Sequence, residues 1–566
     1  MLRSLLSRRY FASFPKGRRI VIVGGVAGGG SAAARLRRLD ESASITVFEK
    51  GPYNSFANCG LPYYIGGVIP TEDRLLVSSP EQFKDLFNVT VKTSHEVTEI
   101  DRKEQTVTVK NLNDNTTFKQ PYDNLILATG SNPIVPPIEG VNAPGVFQLR
   151  DIPDSRQMKA WIESRNAKKA VIVGGGFIGL EMAENLSLKG LDVTIVEKSA
   201  HVLPMLSADM AAVVERRLTQ HGVHVLCGQS AKSITSRDDN SLELAMDAET
   251  LPCDVLLLSV GVRPNAELAK RSGLHVGSLG GVVVDEQMVT SDPRIQAVGD
   301  VVEVKNLITG AAMLAPLAGP ANKQARVAAD ALCGLPSQYR GSVRSSLCRV
   351  FGLSVGVTGV SETPGSLTVR VHGGDRAGFY PGVRGLHLSV SFAGESGRLL
   401  GAQAAGEEGV DKRLDVLAAL LQAGGTVSDL AALEGCYAPQ VAAAHDVLNL
   451  AGMAAENLWR GLLVQADWKQ ALSGDSLKID VRDPGAFKRN PIPGFVNVPM
   501  GQLRAVLDQL PRDRVIDVSC TVGKTAYFAC RVLEQNGFQA RQLPGGYFTY
   551  RLLPKHKCSV CCSMRE

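Results

Sequence analysis

The 566-residue sequence lacks features that would place it in several common classes of protein. No apolar run approaches the roughly 20 residues needed to cross a bilayer, so no membrane helix is expected. The formal charge is only +5, and no basic stripe or interleaved aromatic pattern suggests nucleic-acid binding. The 11 cysteines show no disulfide-framework spacing, which favours a reducing compartment over secretion. The length predicts about three or four domains.

The N-terminal segment contains no acidic residue before Asp40, whereas its first 19 residues include Arg3, Arg8, Arg9, Lys16, Arg18 and Arg19. This composition is typical of a mitochondrial presequence. Residues 9–11 resemble an arginine-minus-three processing site, which predicts cleavage after Phe11 and a matrix location. We assign residues 1–18 to the presequence. An unstructured basic tail on a cytoplasmic protein is the alternative.

Cys59, in the stretch Ser-Phe-Ala-Asn-Cys-Gly-Leu-Pro at residues 55–62, has no neighbouring cysteine. The next one along the chain is Cys227, so a local C-x-x-C pair and its dithiol/disulfide cycle are excluded. Either this thiol reacts one sulfur at a time, or it is an inert, small buried side chain.

The first glycine-rich segment follows a short β-branched run at residues 20–23. Residues 24–29 read Gly-Gly-Val-Ala-Gly-Gly, and a helical segment is predicted from Ser31 to about Leu39. The next predicted strand ends in Glu49, whose carboxylate can accept hydrogen bonds from ribose hydroxyls. Strand, glycine turn, helix and acid form the entry of a dinucleotide-binding fold, although Val26 replaces the middle glycine.

The second glycine-rich segment repeats this order about 150 residues later. A strand at residues 170–173 leads into Gly-Gly-Gly-Phe-Ile-Gly at residues 174–179, a helix from Leu180 and a strand that ends in Glu197. Two complete units predict two bound nucleotides, of which flavin plus nicotinamide is the usual pair. Glu197 would repel a 2′-phosphate and favours NADH over NADPH, although the adjacent Lys198 could pair with that phosphate.

Several strings of residues carry a resemblance to a known family, namely residues 55–62 (SFANCGLP), 63–67 (YYIGG), 316–322 (PLAGPAN) and 380–382 (YPG). Residues 20 to about 452 resemble the coenzyme A disulfide reductase branch of the two-dinucleotide flavoprotein disulfide reductases. The whole chain resembles the fusion of that branch with a C-terminal rhodanese domain, the NADH-dependent persulfide reductase type.

This resemblance implies an α/β protein with two Rossmann-like dinucleotide-binding domains, an α+β dimerisation domain and a C-terminal α/β rhodanese domain. The expected boundaries are 19–150 with 266–335 for FAD binding, 151–265 for NAD binding, 340–452 for dimerisation, 463–555 for the rhodanese domain and 556–566 for a cysteine-rich tail. Family members are homodimers, so a homodimer is expected here. No metal site is predicted.

The resemblance also implies site residues. Cys59 would be the sole redox cysteine and would form a mixed disulfide with coenzyme A. The residues expected to hold FAD are Gly24, Gly25, Ala27, Gly28, Gly29, Glu49, Lys50, Thr129, Gly130 and Asp300. Those expected to hold NADH are Gly174, Gly176, Gly179 and Glu197. Those expected at the substrate are Ser31, Arg35, Arg38, Ser55, Asn58 and two tyrosines that a partner subunit would bring, Tyr380 and Tyr437.

Two of these assignments have a physical alternative. Arg35 and Arg38 are three residues apart on one helix face, and the planar arginine fork suits phosphate, but such a run can also be a solvated charged face. The chain departs from the usual family pattern after Tyr437, where residues 438–445 read Ala-Pro-Gln-Val-Ala-Ala-Ala-His. A substrate or flavin contact from that loop is therefore open.

The C-terminal loop of residues 520–525 (Cys-Thr-Val-Gly-Lys-Thr) follows a predicted strand and precedes a helix from about Ala526. Backbone N–H groups and the helix dipole would stabilise a persulfide on Cys520. Fusion-type relatives usually carry arginine at the position of Thr525, so a domain that only binds or docks is the alternative. The tail cysteines Cys558, Cys561 and Cys562 are interpreted either as part of a flexible tail or as resolving or metal-binding residues.

Together these observations predict an FAD-dependent oxidoreductase that uses NADH to reduce persulfide, polysulfide or coenzyme A disulfide at Cys59, with Cys520 handling sulfane sulfur. One alternative is a single-cysteine NADH oxidase or peroxidase. The similar peroxidases carry a histidine in the first glycine turn, where this chain has Ala27. The other alternative is a slow flavin–NADH redox sensor or sulfur-trafficking adaptor.

Overall fold

The computed structural model describes residues 17–237, 241–361 and 363–553. The predicted cleavage after Phe11 and the predicted tail of residues 556–566 lie outside the described residues. Two compact units are present. The first comprises the described residues up to Lys198 together with Val223–Ser342, and the second comprises Ser199–Gly222 together with the described residues from Val343 onward. In these ranges no helix is long and apolar enough to cross a membrane.

A five-stranded parallel sheet carries the first glycine turn. Its β-branched strand Arg19–Val23 is buried at four of its five positions. Across the sheet the strands are Ile295–Ala297, Asn124–Leu127, Arg19–Val23, Ser44–Phe48 and Thr90–Lys92. The turn follows the carboxyl end of Arg19–Val23 and leads into the helix Ala27–Leu39. Open α/β sheets bind their ligands at this edge.

The helix Ala27–Leu39 packs against the helix Ala318–Leu332. Both helices contribute small buried side chains to one hydrophobic core, namely Ala32, Ala33, Ala325, Ala328 and Ala329. Small residues let the two helix backbones approach closely, which brings polar side chains at their N-terminal turns together.

A second five-stranded parallel sheet carries the second glycine turn. Its strands, in order, are His224–Cys227, Asp192–Glu197, Lys169–Val173, Val255–Leu258 and Val146–Phe147. The turn again follows the carboxyl end of a buried strand, Lys169–Val173, and the helix Phe177–Leu188 comes next. The two parallel sheets thus share the same local order of strand, glycine turn and helix, and the same burial pattern in the strand before the turn.

The remaining elements of the first unit surround these sheets. The other strands are His95–Asp101, Thr106–Asn111, Thr117–Pro121, Ser131–Pro133, Ala231–Ser236, Leu242–Met246, Thr250–Cys253, Val262–Pro264, Val282–Val283, Val302–Lys305 and Ala312–Leu314. The other helices are Leu61–Gly66, Pro80–Phe87, Ile152–Arg165 and Glu267–Arg271, with 3₁₀ turns at Asn58–Gly60, Glu72–Leu75 and Gly299–Val301.

The second unit contains a five-stranded antiparallel sheet. In order its strands are Ser346–Val350, Leu353–Gly359, Leu399–Gly406, Gly385–Ala393 and Ser366–Gly374. Its helices are Ala208–Gln220, Val410–Ala423, Val427–Ala431 and Val447–Trp459. This part has the α+β character predicted for it.

A four-stranded parallel sheet completes the second unit. Its strands, in order, are Val496–Asn497, Leu477–Asp480, Ile516–Ser519 and Ala540–Gln542. Its helices are Trp468–Ser473, Pro484–Arg489, Lys524–Gln535 and Gly546–Tyr550, with a 3₁₀ turn at Leu503–Gln509. The predicted fold class is therefore confirmed: two parallel nucleotide-type sheets, an α+β part and a C-terminal α/β part.

Candidate active site

Cys59 lies in the 3₁₀ turn Asn58–Gly60, which continues into the helix Leu61–Gly66. The preceding Ser55 has a positive φ of 47°, an uncommon conformation for a residue other than glycine. Its backbone N–H and its hydroxyl both donate to the carbonyl oxygen of Gly25, at 3.0 and 3.2 Å. The cysteine segment is thereby fastened to the first glycine turn.

The thiol of Cys59 is exposed, and its surroundings raise its pKa. Loss of hydration is the largest cause, followed by the negative charges of Glu181 and Asp300. Glu181, on the helix after the second glycine turn, accepts a hydrogen bond from the Tyr63 hydroxyl at 3.3 Å. Since the thiolate is the nucleophile, this thiol requires a further group to stabilise its anion at neutral pH.

The first glycine turn has the form of a nucleotide cradle. Gly24 has φ +100°, and a Cβ there would overlap the carbonyl oxygen of Ala128; a Cβ at Gly29 would overlap that of Gly24. The N–H of Gly25 donates to the Glu49 carboxylate at 2.7 Å. Burial raises the pKa of Glu49. The acid at the end of the second strand therefore reaches the turn, as a ribose-binding carboxylate must.

Three further residues predicted to hold FAD, Thr129, Gly130 and Asp300, lie at the same edge of the first parallel sheet. The hydroxyl of Thr129 donates to the Asn265 carbonyl at 2.8 Å, and the turn at Gly130 has φ +68°. Asp300 accepts a hydrogen bond from the Ser131 hydroxyl at 2.9 Å, and burial raises its pKa. These groups follow the neighbouring strands Asn124–Leu127 and Ile295–Ala297, so parallel pairing brings them together.

Three other predicted residues lie at the margin of this turn. Ala27 is the first residue of its helix, and Gly28 faces Val298, where a Cβ would lie 3.1 Å from a methyl group. Lys50 is exposed and pairs with Glu96 at 2.8 Å. Arg150, which the sequence analysis did not identify, lies near this site: a Cβ at Gly130 would be 3.7 Å from its guanidinium.

The second glycine turn repeats the cradle. Gly174 has φ +112°, and a Cβ at Gly179 would overlap the carbonyl oxygen of Gly174. A Cβ at Gly176, in contrast, would meet no heavy atom within 4 Å. The N–H of Gly175 donates to the carboxylate of Glu197 at 2.7 Å, and Glu197 is 8% exposed. The fold itself accounts for the first and third glycines of this turn, but not for the middle one.

The predicted substrate residues on the first helix have different partners. Ser31 donates to the side-chain oxygen of Asn322 at 2.8 Å. Arg35 forms an ion pair with Asp330 at 2.7 Å, whereas Arg38 is exposed. The exposed Asn58 donates to the carbonyl of Arg150 at 3.3 Å.

Tyr380 and Tyr437 lie in two loops of the second unit that adjoin each other. The N–H of Tyr380 donates to the Ala377 carbonyl, and the N–H of Ala377 donates to the carbonyl of Pro439, at 2.9 and 3.2 Å. Arg413, 1% exposed, holds both loops by binding the Asp446 carboxylate and the Asp375 carbonyl. No local sequence pattern predicts this role of Arg413, because it depends on packing between distant segments.

Cys520 is 2% exposed in the loop before the helix Lys524–Gln535. Its sulfur accepts a hydrogen bond from the N–H of Gly523 at 3.1 Å, and Gly523 has φ +94°. The N–H of Tyr547 donates to the Cys520 carbonyl at 2.7 Å. The loop thus presents the Gly523 N–H to the sulfur, a contact that would stabilise a sulfur anion.

A buried ion pair lies in the same C-terminal part. Arg482 donates to both carboxylate oxygens of Asp480, and their side chains are 4% and 0% exposed. Its guanidinium also stacks on the Tyr547 ring at 4.4 Å from the centroid. Tyr547 also donates its N–H to the Cys520 loop, so the ion pair of Arg482 and Asp480 helps to hold that loop in position.

Two family models match the chain. "Pyridine nucleotide-disulphide oxidoreductase" covers residues 18–321, and "Rhodanese-like domain" covers residues 465–552. Among curated relatives, an "NADH oxidase" of Methanocaldococcus jannaschii is 34% identical over 76% of this chain and 97% of its own length. A "Coenzyme A disulfide reductase" of Staphylococcus haemolyticus is 34% identical over 78% of this chain and 100% of its own.

Two solved structures resemble nearly the whole chain. Reduced Bacillus anthracis CoADR-RHD is 39% identical with a TM-score of 0.92, covering 95% of this chain and 98% of its own. An NAD-dependent persulfide reductase from A. fulgidus is 36% identical with a TM-score of 0.89, covering 94% of this chain and 100% of its own. Both likenesses cover more of the chain than either family model does alone.

Proposed function

Because the chain belongs to the pyridine nucleotide-disulphide oxidoreductase family, we propose that it passes electrons from NADH to sulfur–sulfur bonds of small thiols, with Cys59 as the reacting thiol. The observation that carries this proposal is an exposed cysteine whose segment is fastened to the first glycine turn and has no second cysteine beside it. A lone thiol cannot form an internal disulfide. Its partner sulfur must therefore arrive on the substrate.

The residues fit FAD and a nicotinamide dinucleotide. In each glycine turn the first and last glycines admit no Cβ, and a carboxylate reaches the turn. We assign FAD to the sheet with Glu49 and Asp300 (residues 19–150 and 266–335), and the nicotinamide dinucleotide to the sheet with Glu197 (residues 151–265). When bound, the flavin would supply two-electron transfer from the reduced nicotinamide to sulfur.

NADH is assigned in preference to NADPH. The Glu197 carboxylate lies at the second glycine turn, where the adenine ribose of a dinucleotide would lie. A ribose with free hydroxyls can donate to this carboxylate, whereas a 2′-phosphate would be repelled. Comparing the KM for the two nucleotides in the wild type with that in Glu197→Gln tests this assignment, because removing the charge should relieve discrimination.

Cys59 reacts by thiol–disulfide exchange. Its thiolate attacks the outer sulfur of a persulfide, which leaves a Cys59 persulfide and releases the carrier as a thiolate. Two-electron reduction of the new sulfur–sulfur bond returns the Cys59 thiolate and releases hydrosulfide. With coenzyme A disulfide, the same attack gives a mixed disulfide between Cys59 and one coenzyme A and releases the other coenzyme A as a thiolate.

Coenzyme A or a related low-molecular-weight thiol is the proposed carrier. Arg38 is exposed and would bind a phosphate. Ser31, Ser55 and Asn58 would offer further polar groups to the carrier. Arg35 already forms an ion pair with Asp330. We therefore propose that it links the helix Ala27–Leu39 to the helix Ala318–Leu332 and can also contact the phosphate.

The C-terminal loop would receive or deliver sulfane sulfur on Cys520. The Gly523 N–H at 3.1 Å from the sulfur would stabilise the persulfide anion formed there. Thr525 and Lys524 lie in the first turn of the following helix. Rhodanese-type transfer therefore rests on backbone N–H groups of this loop rather than on an arginine at residue 525.

A substrate panel tests the proposal. The purified flavoprotein is given excess NADH with coenzyme A persulfide, coenzyme A disulfide, thiosulfate, oxygen or hydrogen peroxide, and NADH loss and sulfide release are followed. Sulfur substrates should exceed oxygen and peroxide by at least tenfold, because Ala27 stands where similar peroxidases carry a histidine and no second cysteine adjoins Cys59 in the sequence. Faster turnover of oxygen or peroxide would instead assign an oxidase or peroxidase, and negligible turnover of all five would favour a sensor or adaptor.

Three variants locate the chemistry. Cys59→Ser should abolish NADH-dependent reduction of every sulfur substrate. Cys520→Ala should lower thiosulfate or persulfide turnover and spare free coenzyme A disulfide. Cys436→Ser, which removes another exposed thiol, is the matched control and should leave all rates unchanged. Equal loss of all activities in Cys520→Ala would contradict the proposal that Cys520 handles sulfane sulfur while Cys59 carries out the reduction.

A homodimer is the proposed assembly. Large apolar side chains are exposed around the two tyrosine loops, at Phe379 (80%), Val383 (40%), Tyr437 (52%) and Val441 (55%). Such a cluster is typical of a surface that a partner covers. A second copy of residues 340–452 would cover it, and Phe379→Ser should weaken the dimer in sedimentation velocity.

Mitochondrial import is proposed from the N-terminal composition. Arg18 pairs with Asp40 at 3.0 Å, and cleavage after Phe11 would leave this ion pair in the mature chain. Incubating the full-length chain with isolated mitochondria should yield a protected product whose N-terminal residue is Ala12. Retention of the whole chain outside the organelle would favour a cytoplasmic enzyme.

A further inference from the structure

A cleft in the second unit lies apart from the sulfur of Cys520. It is lined by the helix Ala208–Gln220, the antiparallel sheet and the C-terminal helix, with Arg216, Arg217, Leu353, His387, Phe548 and Arg551 among its walls. Its volume is about 180 Å³, against roughly 30 Å³ for one water in the liquid. We call it the Arg216–Arg551 cleft.

The charges in this cleft are unbalanced. Arg217 pairs with Glu407 at 2.6 Å. Arg216 donates to the backbone carbonyl of Arg551 at 3.1 Å, and both residues line the cleft. Within the described part of the chain, neither of these two arginines has a carboxylate at ion-pair distance. Partial burial and the like charge of Arg551 lower the pKa of Arg216.

His387, at the floor of the cleft, adds no charge that would balance the two arginines, and the Asp209 carboxylate that acts on this histidine pairs with Arg370 at 2.7 Å. Burial lowers the pKa of His387 to about 4, so its ring is neutral at pH 7. One of its nitrogens lies 2.7 Å from His372, and His372 in turn bonds the Thr549 hydroxyl at 2.8 Å. The two positive charges of Arg216 and Arg551 thus face a cleft whose lining also includes the apolar side chains of Leu353 and Phe548.

We propose that the Arg216–Arg551 cleft binds a small tetrahedral oxyanion that carries two negative charges. Guanidinium groups bind such oxygens through paired N–H donors, and the anion removes the repulsion between the two arginines. Two sources share this chemistry: a free inorganic anion such as thiosulfate or phosphate, and the phosphate of a nucleotide. The apolar wall accommodates the terminal sulfur of thiosulfate better than it does a fourth charged oxygen.

The cleft is physically connected to the sulfur loop. The Phe548 ring lines the cleft, while its N–H donates to the Thr521 carbonyl at 3.0 Å. The floor connects to the same helix through His387, His372 and Thr549. An anion that orders Phe548 therefore acts on the residue next to Cys520, so occupancy should alter the reactivity of that thiol.

Binding is measured by calorimetry on the full-length flavoprotein without NADH, so the outcome does not depend on reductase activity. The probes are inorganic phosphate, adenosine 3′,5′-bisphosphate and, in the Cys520→Ala protein to prevent turnover, thiosulfate. Ionic strength is held constant with chloride. Arg216→Gln and Arg551→Gln should each weaken binding at this site at least tenfold. Arg349→Gln, which removes one charge of an exposed pair with Glu408 in the same unit, is the matched control.

Thermal unfolding gives a second readout. Without anion, Arg216→Gln should unfold at the same temperature as the wild type or higher, because it relieves like-charge repulsion; with anion, only the wild type and Arg349→Gln should gain stability. The proposal falls if no probe binds saturably, if the control weakens binding equally, or if both arginine variants are destabilised without anion. Tighter binding of thiosulfate or of the bisphosphate identifies the source.

The alkylation rate of Cys520 tests whether anion binding in the Arg216–Arg551 cleft affects the sulfur loop. Saturating phosphate should change the alkylation rate of Cys520 at least twofold in the wild type and leave that of Arg216→Gln unchanged. An unchanged rate in the wild type would overturn the connection to the sulfur loop.

Discussion

Gly176 has more space around it than the other two glycines of the second glycine turn, Gly174 and Gly179. A Cβ at Gly174 or Gly179 would overlap backbone oxygen, whereas a Cβ at Gly176 would lie in open space. Its φ of −79° and ψ of −176° suit any residue. No contact within the described chain therefore requires glycine here, and we infer that the space is kept for a bound pyrophosphate.

Gly176→Ala should consequently fold normally and bind NADH poorly. Alanine is a poorer N-cap than glycine, but it also lowers the entropy of the unfolded chain, and these two effects offset each other to within about 0.5–1 kcal/mol. A methyl group forced against a ligand costs about 1–3 kcal/mol. The Kd for NADH should therefore rise about 5- to 150-fold, with FAD content and Tm near those of the wild type.

Gly179→Ala is the matched variant, since it adds the same methyl group three residues later. There the Cβ would overlap the Gly174 carbonyl, so the turn itself must distort and Tm should fall. Titration of NADH by flavin fluorescence and thermal unfolding measure the two effects separately. Wild-type NADH affinity in Gly176→Ala, or a loss of Tm equal to that of Gly179→Ala, would refute the reasoning.

Three further variants test other parts of the site. Desolvation is the largest cause of the raised pKa of Cys59, and the Glu181 carboxylate is the next. Glu181→Gln should therefore lower this pKa, so that alkylation of Cys59 reaches half its maximal rate at a lower pH. An unchanged midpoint would contradict this. Asp480→Asn leaves Arg482 buried without a carboxylate; urea denaturation should show a loss of about 3–5 kcal/mol, and a loss below about 1 kcal/mol would mean that the pair is solvated. Gly523→Ala places a side chain at φ +94° and moves the N–H away from the loop sulfur; sulfur transfer should fall at least tenfold while coenzyme A disulfide reduction stays intact, and equal losses would indicate global unfolding.

The glycine turns were predictable because their requirements are local. A positive φ and a close backbone approach depend on a few adjacent residues, and Gly24 and Gly174 have both. Helix starts were predicted less well. The helix expected from Ser31 begins at Ala27, and the one expected from Leu180 begins at Phe177. Glycine-rich first turns have low helix propensity, and tertiary packing overrides it.

The partners of charged side chains were not predictable, because they come from distant segments. Arg35, for which a phosphate contact is a prediction, also pairs with Asp330, which is 295 positions away. The effect of Glu181 on Cys59 likewise joins residues of two different nucleotide folds. No local periodicity encodes such contacts. Only the assembled unit identifies which arginines are already satisfied.

The burial of Cys520 restricts what can deliver sulfur to it. The loop is held by hydrogen bonds from Tyr547 and Phe548 to its carbonyls and from Gln542 to the carbonyl of Gly523. Breaking these three bonds costs about 1.5–4.5 kcal/mol at roughly 0.5–1.5 kcal/mol each, so an open loop is a minor state. A protein donor presents its persulfide on a broad surface and would require that state. A slender thiol arm or a small anion does not, which favours low-molecular-weight sulfur carriers for Cys520.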